Sequence, residues 1–456
     1  MAPPLDGAPA GTWARLQRRQ LHERVVDAGA ALVGLGFGAT LGLAVTAETP
    51  GSIAAPGGLL TAVGRLAGLA GAYLLLVMVL LMARIPAIER AVGQDRLARW
   101  HRRVGLWPLA LITVHALCIT LGYAQAARTG FWSQVWTFLT SYPDVLAATV
   151  AFGLLVLVGV ASVRFVRRRL RYETWWVVHL YVYLALALAF AHQLATGAPF
   201  VGHPLARWVW SLAWAATAGV ALAYRVGLPL WRSLYHRLRV VGVQAEAPGV
   251  VSIVCAGRHL ERLKVEGGQF FLWRFLARGL WWQAHPYSLS ALPRPPYLRV
   301  TVRALGDHSR SLATLAPGTP VAIEGPYGVF TGERRVGERV LLVGAGVGVT
   351  PLRAILEDLP PTVDVVVLLR ATRREDLPLH EELSRLVEAR RGALHEVIGP
   401  RQAVRLDARE IRRLVPDVVQ RDVYLCGPEP LVGRLEKALH RLGVREDRVH
   451  RERFAF

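Results

Sequence analysis

Six stretches of consecutive apolar residues dominate the first half of the chain, near 26–47, 59–83, 104–124, 144–163, 175–195 and 206–226. A helix rises 1.5 Å per residue, so about 20 such residues cross the roughly 30 Å hydrocarbon layer of a bilayer. Within lipid each backbone N–H and C=O must find its partner inside the protein, which restricts an apolar run of this length to a helix. The first stretch is not a cleavable signal peptide, because it follows a long arginine-bearing leader with no small-residue cleavage site before a soluble chain. The expectation is a membrane-embedded, all-helical six-span bundle over 26–226, preceded by a leader over 1–25.

Charge gives these spans a direction. The leader carries Arg15, Arg18, Arg19 and Arg24. The loop after the second span carries Arg84, Arg90, Arg96, Arg99, Arg102 and Arg103, and the loop after the fourth carries Arg164, Arg167, Arg168, Arg169 and Arg171. Of the opposite loops, 48–58 has no Arg or Lys and 125–143 has only Arg128. Cytoplasmic loops concentrate basic residues, so both termini are expected in the cytoplasm of a multi-pass cell-membrane protein. The net charge of +21 therefore does not point to nucleic acid. Residues 1–226 hold 19 basic and 8 acidic side chains, about half the excess, in a half whose loop arginines set topology. The partner this charge fits is a lipid bilayer. Cys118, Cys255 and Cys426 form neither a disulfide framework nor a CxxC metal motif.

Histidines inside membrane spans are costly and tend to be functional. The third span and its entry hold His101 and His115; the fifth holds His179 and His192. Each pair is separated by roughly 20 Å along its helix. Both spans are expected to run from inside to outside, so His101 and His179 share the inner level and His115 and His192 the outer one. Two levels, each with one imidazole from each helix, suit two bis-imidazole haem sites. Interhelical hydrogen bonding is the alternative. At about 100° per residue, fourteen positions return to nearly the same face, whereas thirteen miss it by about 140°. The fifth span therefore needs a tightened turn, a helix crossing or different rotamers.

The second half reads as soluble protein. Short strands with Gly/Pro turns over 236–334 suggest a small β-barrel. Within it stands His285-Pro286-Tyr287-Ser288-Leu289-Ser290. An aromatic beside a small hydroxyl residue can cover a flavin ring; an ordinary proline turn and strand fits the hexapeptide equally. The strand Arg299-Val300-Thr301-Val302-Arg303 and the turn Gly306-Asp307-His308-Ser309 can hold a pyrophosphate. From 335 to 456 strand–helix alternation indicates an α/β nucleotide-binding domain. There the buried run Val340–Val343 leads into Gly344-Ala345-Gly346-Val347-Gly348-Val349-Thr350-Pro351. Glycines let a backbone approach a phosphate and a helix N-terminus attracts it, but the spacing is GxGxG and not the dinucleotide fingerprint GxGxxG. A plain tight turn is the alternative. Later strands end in Arg370-Ala371-Thr372-Arg373-Arg374 and in Tyr424-Leu425-Cys426-Gly427-Pro428. The strand C-termini of an open α/β sheet are where ligands bind.

Taken in this order, the histidine pairs, HPYSLS, GAGVGVTP and CGPEP resemble the ferric reductase/NADPH oxidase group of transmembrane flavocytochromes b, over essentially all of 26–456. The soluble half resembles ferredoxin–NADP reductase. The resemblance implies that His101, His115, His179 and His192 ligate two b haems. It implies that His285, Pro286, Tyr287, Ser288, Arg299, Thr301, Val302, Arg303, Gly306, His308 and Ser309 serve FAD. It further implies that Gly344, Gly346, Gly348, Thr350, Pro351, Gly427 and Pro428 serve NADPH or NADH, with Cys426 beside the nicotinamide. Arg370 and Arg373 are placed to take a 2′-phosphate, a solvated basic turn being the alternative. The chain ends in Phe456, similar to relatives whose last aromatic covers the isoalloxazine; it can also simply finish the last strand. The implied activity is electron transfer from cytosolic NAD(P)H through FAD and two haems to an external acceptor, a ferric chelate first. Several oxidases carry a second outer histidine where this chain has Ile119, whereas Arg65 matches an oxidase arginine near the outer haem. An oxidase making superoxide is the first rival. A transporter with proton-relay histidines and a nucleotide-sensing tail is another, and a reductase anchored by haem-free spans a third. The acceptor, the oligomeric state and the pathway are not readable from the sequence.

Overall fold

The computed structural model describes residues 10–400 and 404–453. The chain falls into a membrane-type unit, Val25–Ile85 with Asp95–Tyr224, and a second unit that holds the described residues up to Arg24, Pro86–Gln94 and everything described from Arg225 onward. Among the described residues six helical runs are long and apolar enough to cross a membrane. The helices are Ala10–Thr46, Gly58–Leu81, the pair Gln94–Val104 and Leu106–Ala127, Val145–Ser162, Tyr172–Thr196 and Pro204–Leu222. They are called spans one to six below. Leu35, Trp107, Leu205, Trp208 and Leu212 are exposed, the reverse of a water-soluble bundle and the pattern of a surface solvated by lipid.

Small residues decide how tightly the second and third spans meet. A Cβ added at Gly64, Gly68 or Gly71 would come within 3.0 Å of Ile119, His115 and Ile112 respectively. With lipid as apolar as leucine, helices associate through close packing, and glycines on one face permit it.

In the other unit β1 (Leu238–Ala247), β2 (Val250–Ala256), β3 (Phe270–Phe275), β4 (His285–Ser288), β5 (Tyr297–Arg303) and β6 (Pro320–Tyr327) form one antiparallel sheet in the order β4-β3-β6-β1-β2-β5. Alternation is strict in β3, where Phe271, Trp273 and Phe275 face the core with no exposure. The expected closed barrel is not formed. The edge strands β4 and β5 are joined by a single bridge, Leu289 to Val300, and not by a ladder. β4 is only four residues long and contains Pro286, which has no N–H to give to a second neighbour.

The strands β7 (Arg339–Ala345), β8 (Asp364–Ala371), β9 (Ala393–Ile398), β10 (Asp422–Gly427) and β11 (Val449–Arg453) form a parallel sheet in the order β11-β10-β7-β8-β9. Apolar clusters cover both of its faces, as a parallel sheet requires. From β7 the chain winds outward through β8 and β9, then returns to β10 on the opposite side of β7. The crevice beyond β7 and β10 is thus the topological switch point, where such sheets take ligands.

Candidate redox sites

The four membrane histidines meet in the two pairs expected. The rings of His101 and His179 lie 6.0 Å apart between centroids, and those of His115 and His192 lie 6.4 Å apart. Two imidazoles bound to one metal from opposite sides, at about 2.0–2.1 Å each with roughly 1.1 Å from nitrogen to ring centre, stand about 6.3 Å apart. Both observed spacings fit. The thirteen-residue interval on the fifth span does not prevent pairing, although that helix runs unbroken over Tyr172–Thr196.

The His115–His192 pair has a defined tautomer. Nδ1 of His115 donates to the Gly64 carbonyl at 2.8 Å, and Nδ1 of His192 to the Ala189 carbonyl at 2.7 Å. A carbonyl only accepts, so each Nδ1 carries the proton and each Nε2 keeps its lone pair for a metal. Gly68 makes this possible, since a Cβ there would lie 2.5 Å from Nδ1 of His115. Around the pair opens a cavity of about 440 Å³, lined by Arg65, Gly68, Tyr123, Phe138 and Leu155 among others. Arg65 is held by Glu48 at 2.9 Å. In the His101–His179 pair, His179 stacks on Trp175 at 5.1 Å, and its Nδ1 lies 3.5 Å from the Ser162 hydroxyl. The donor set, spacing and cavity therefore fit a planar macrocycle ligated from both faces.

In the antiparallel lobe His285, Tyr287 and His308 cluster. The His285 and His308 rings are 3.9 Å apart, and the Tyr287 hydroxyl is 3.4 Å from Nδ1 of His308. Burial, then the neighbouring His285, pushes His308 down to about 4, so it is neutral at physiological pH. Burial raises the Tyr287 hydroxyl, which keeps its proton. Ser288 is buried beside them. The Ser309 hydroxyl accepts from the N–H groups of Leu305 and Gly306, at 2.8 and 3.0 Å, and closes the 306–309 turn. Alternation on β5 sends Val302 into the core. Thr301 is buried as well, its hydroxyl 2.7 Å from that of Ser252. Arg303 is exposed and reaches toward the other lobe, its Nη1 3.7 Å from where a Cβ of Gly346 would stand. Arg299 does not join this group; it makes a bidentate pair with Glu382 at 2.6 and 2.8 Å.

In the parallel lobe the glycine turn, the CGP segment and the arginine cluster all leave the same ends of β7, β10 and β8. Register places Cys426 beside Gly344. Gly346 adopts φ +55°, which favours glycine. Gly348 has no room for a side chain, since its Cβ would lie 2.4 Å from the Cys426 carbonyl oxygen. The helix Val349–Asp358 starts directly after the turn, with Thr350 and Pro351 buried and the Thr350 hydroxyl on the Val347 carbonyl at 2.9 Å. Gly427 packs against Ala345, and Pro428 leads into the helix Glu429–Arg441. Cys426 is 2% exposed, and burial holds its thiol protonated. Arg370 is turned inward, donating to the carbonyls of Ala371, Val397 and Val404. Arg373 is exposed and paired with Glu375 and Asp376 at 2.6 and 3.1 Å. Phe456 lies outside the described residues.

Gly64, Gly68 and Glu382 are not among the residues that the sequence motifs single out. The four- and seven-residue spacing of Gly64, Gly68 and Gly71 was a usable signal for a tight helix contact. Nothing local marks Glu382, whose partners Arg299 and Arg353 lie 83 and 29 residues away.

Residues 67–190 match the family described as ferric reductase like transmembrane component, and residues 248–331 match the FAD-binding domain family. Among curated proteins, an NADPH oxidoreductase of Mycobacterium tuberculosis is 30% identical over 238 residues, covering 50% of this chain and 62% of that protein. Respiratory burst oxidase homolog protein D of Arabidopsis thaliana is 26% identical over 224 residues, 43% of this chain and 23% of that one. Among solved structures, the flavohem-like FAD/NAD binding domain of nitric oxide dioxygenase from Vibrio cholerae is 25% identical, with a TM-score of 0.41 over 48% of this chain and 98% of that one. The chain spans 62% and 50% of the length of the first two curated relatives. It thus joins a ferric-reductase-like transmembrane component to an FAD-binding domain.

Proposed function

We propose that the chain is a transmembrane NAD(P)H-dependent flavin oxidoreductase that passes electrons from cytosolic NAD(P)H through FAD and two b haems to an external acceptor, foremost a ferric chelate. The observation that carries this reading is the meeting of four span histidines in two pairs with bis-imidazole spacing, on a chain that also matches an FAD-binding domain. When bound, FAD supplies the change from hydride to single electrons and haem carries those electrons one at a time.

The chain's own residues supply position and electrostatics. His115 and His192 offer Nε2 to one iron, and the Gly64 and Ala189 carbonyls hold both rings in that tautomer. His101 and His179 offer the second pair. With a histidine pair for each group, no position would be left for the acceptor to bind the iron directly. Tyr287 and Ser288 would flank the flavin ring, and Arg303 with the Gly306–Ser309 turn would take its pyrophosphate. Gly344, Gly346 and Gly348 bring backbone N–H groups and a helix N-terminus to the nucleotide phosphates. Cys426, neutral and buried, would border the nicotinamide, and Phe456 is the aromatic proposed to cover the flavin. The arginine-rich loops support a topology with both termini in the cytoplasm.

Anaerobic NADPH added to the purified protein should bleach the flavin and then bring up reduced haem bands, which ferric chelate should discharge faster than oxygen does. A protein without haem bands would exclude the relay and favour the transporter or the anchored reductase. Faster discharge by oxygen, with superoxide formed, would favour the oxidase, the reading that Arg65 at the outer cavity supports.

Arg373, exposed and paired at the surface with Glu375 and Asp376, is the candidate for a 2′-phosphate, since Arg370 is spent on carbonyls. Losing one charge-assisted contact costs about 1.5–3 kcal/mol, roughly tenfold or more in affinity. Arg373→Ala should raise KM for NADPH by that factor and leave NADH within about twofold. An equal change for both nucleotides would return Arg373 to the surface turn held by Glu375 and Asp376.

A further inference from the structure

The antiparallel and parallel lobes have separate hydrophobic cores, and much of what ties them together is polar. The helix Val349–Asp358, which begins at the glycine turn, is gripped from two sides by the antiparallel lobe. On one side the Gly267 N–H donates to Asp358 at 2.8 Å, and Gly267 lies so close that a Cβ would stand 2.3 Å from the Ala354 carbonyl oxygen. On the other side Glu357 accepts from the Leu292 N–H at 2.9 Å and from Arg294 at 2.5 Å. Arg353, its side chain 6% exposed, pairs with Glu357 and donates its Nε–H to Glu382 at 2.9 Å. Glu382, on the helix His380–Ala389, then takes both guanidinium arms of Arg299 from β5. The chain Arg294–Glu357–Arg353–Glu382–Arg299 thus begins and ends on the antiparallel lobe and passes through the glycine-turn helix. Isolated exposed ion pairs are worth little, but bidentate, half-buried pairs in a network fix geometry. Hydrogen bonding from Arg299, against the cost of burial, holds Glu382 down to about 2, so it stays charged throughout the physiological range.

We propose that Glu382 is a positioning residue for hydride transfer. Gripping Arg299 of the flavin lobe and Arg353 of the glycine-turn helix, it sets the distance between the flavin motif on β4 and the nucleotide turn after β7. This rests on the function proposed above. In that step the nicotinamide gives up one proton with two electrons as a hydride, becoming the oxidised nucleotide, and the flavin receives it. Such a transfer is steep in distance: a misplacement of about 1 Å costs on the order of a hundredfold. Glu382 is not among the residues proposed above to hold flavin or nucleotide, so its loss should show in the rate and in lobe mobility, and hardly in nucleotide affinity.

The test uses full-length holoenzyme. Glu382→Gln should lower the stopped-flow rate constant of flavin reduction at saturating NADPH by about tenfold or more. The Kd of NADP+ should stay within about twofold, and amide exchange over 290–299 and 349–358 should quicken. Glu382→Asp, which keeps the charge and loses one methylene, should recover part of the rate. If Glu382→Gln does not accumulate, Arg299→Lys carries the same expectation, because it keeps the charge and loses the fork. Unchanged exchange in the variant would overturn the proposal, as would an unchanged saturating rate or a loss confined to NADP+ affinity. If the wild type itself takes no electrons from NADPH, the proposed function fails and the hydride role with it. That outcome is distinct from a variant that matches an active wild type.

Discussion

Replacing His192 by leucine is expected to lower the haem content to about half and to remove one of two low-spin signals, leaving FAD in place. The outer pair is held by two independent devices: a ring spacing of 6.4 Å, and an Nδ1–H on each ring that is committed to a carbonyl. Leucine removes one of the two imidazoles and leaves His115 alone at the cavity. His115→Leu should give the same loss, and His101→Leu or His179→Leu should remove the other half. Because the two pairs share no residue, electrons should still reach the inner haem in the outer-pair variants, while ferric chelate reduction falls by orders of magnitude. A pyridine haemochrome assay returning full haem content in His115→Leu and His192→Leu would sink the ligand assignment. Full content in only one of them would mean that this residue is replaced by a neighbour.

Much of this geometry was legible in the sequence, for reasons that differ by element. The spans were legible because hydrocarbon tolerates no unpaired backbone, so composition alone fixes helix and length. The histidine pairing was legible from chain direction, since two parallel spans with similar intervals must match in depth. Helical-wheel arithmetic argued against it for the span that holds His179 and His192, because an angular count ignores helix crossing and the reach of a side chain. The ligand end of the parallel sheet was legible because glycine and proline punctuate its strand ends. The open edge between β4 and β5 was not, since closure depends on a ladder that a four-residue strand with Pro286 does not provide. Nor was the inward turn of Arg370, which depends on carbonyls at Val397 and Val404 that approach only in the folded sheet. Glu382 is the clearest case. In the sequence it is one of two adjacent glutamates opening an amphipathic helix, and only tertiary contact shows that it joins the lobes.

The second large effect is expected at Gly348. An alanine Cβ there would lie 2.4 Å from the carbonyl oxygen of Cys426, 2.6 Å from its carbon and 2.8 Å from the Gly427 nitrogen. All three are backbone atoms of a central strand, so no rotamer change relieves the overlap. The helix Val349–Asp358 and the CGP segment must instead move apart, and they are the two walls of the switch-point crevice. Overpacking of this kind costs about 1–3 kcal/mol. For a lobe of this size that is a loss of roughly 5 °C or more in melting temperature. The functional loss should be larger than the loss of stability, because the nucleotide's phosphates and its nicotinamide would be held by walls in the wrong register. Gly348→Ala should cut NADPH-dependent flavin reduction by about a hundredfold, with flavin and haem contents retained. Gly433 provides the control: it lies within the helix Glu429–Arg441 of the same lobe, and a Cβ there meets nothing within 4 Å. Gly433→Ala should leave the rate unchanged and raise stability by up to about 1 kcal/mol through helix propensity. Equal behaviour of the two variants in stopped-flow reduction and thermal melting would mean that the close approach of the glycine turn to Cys426 has no part in nucleotide use.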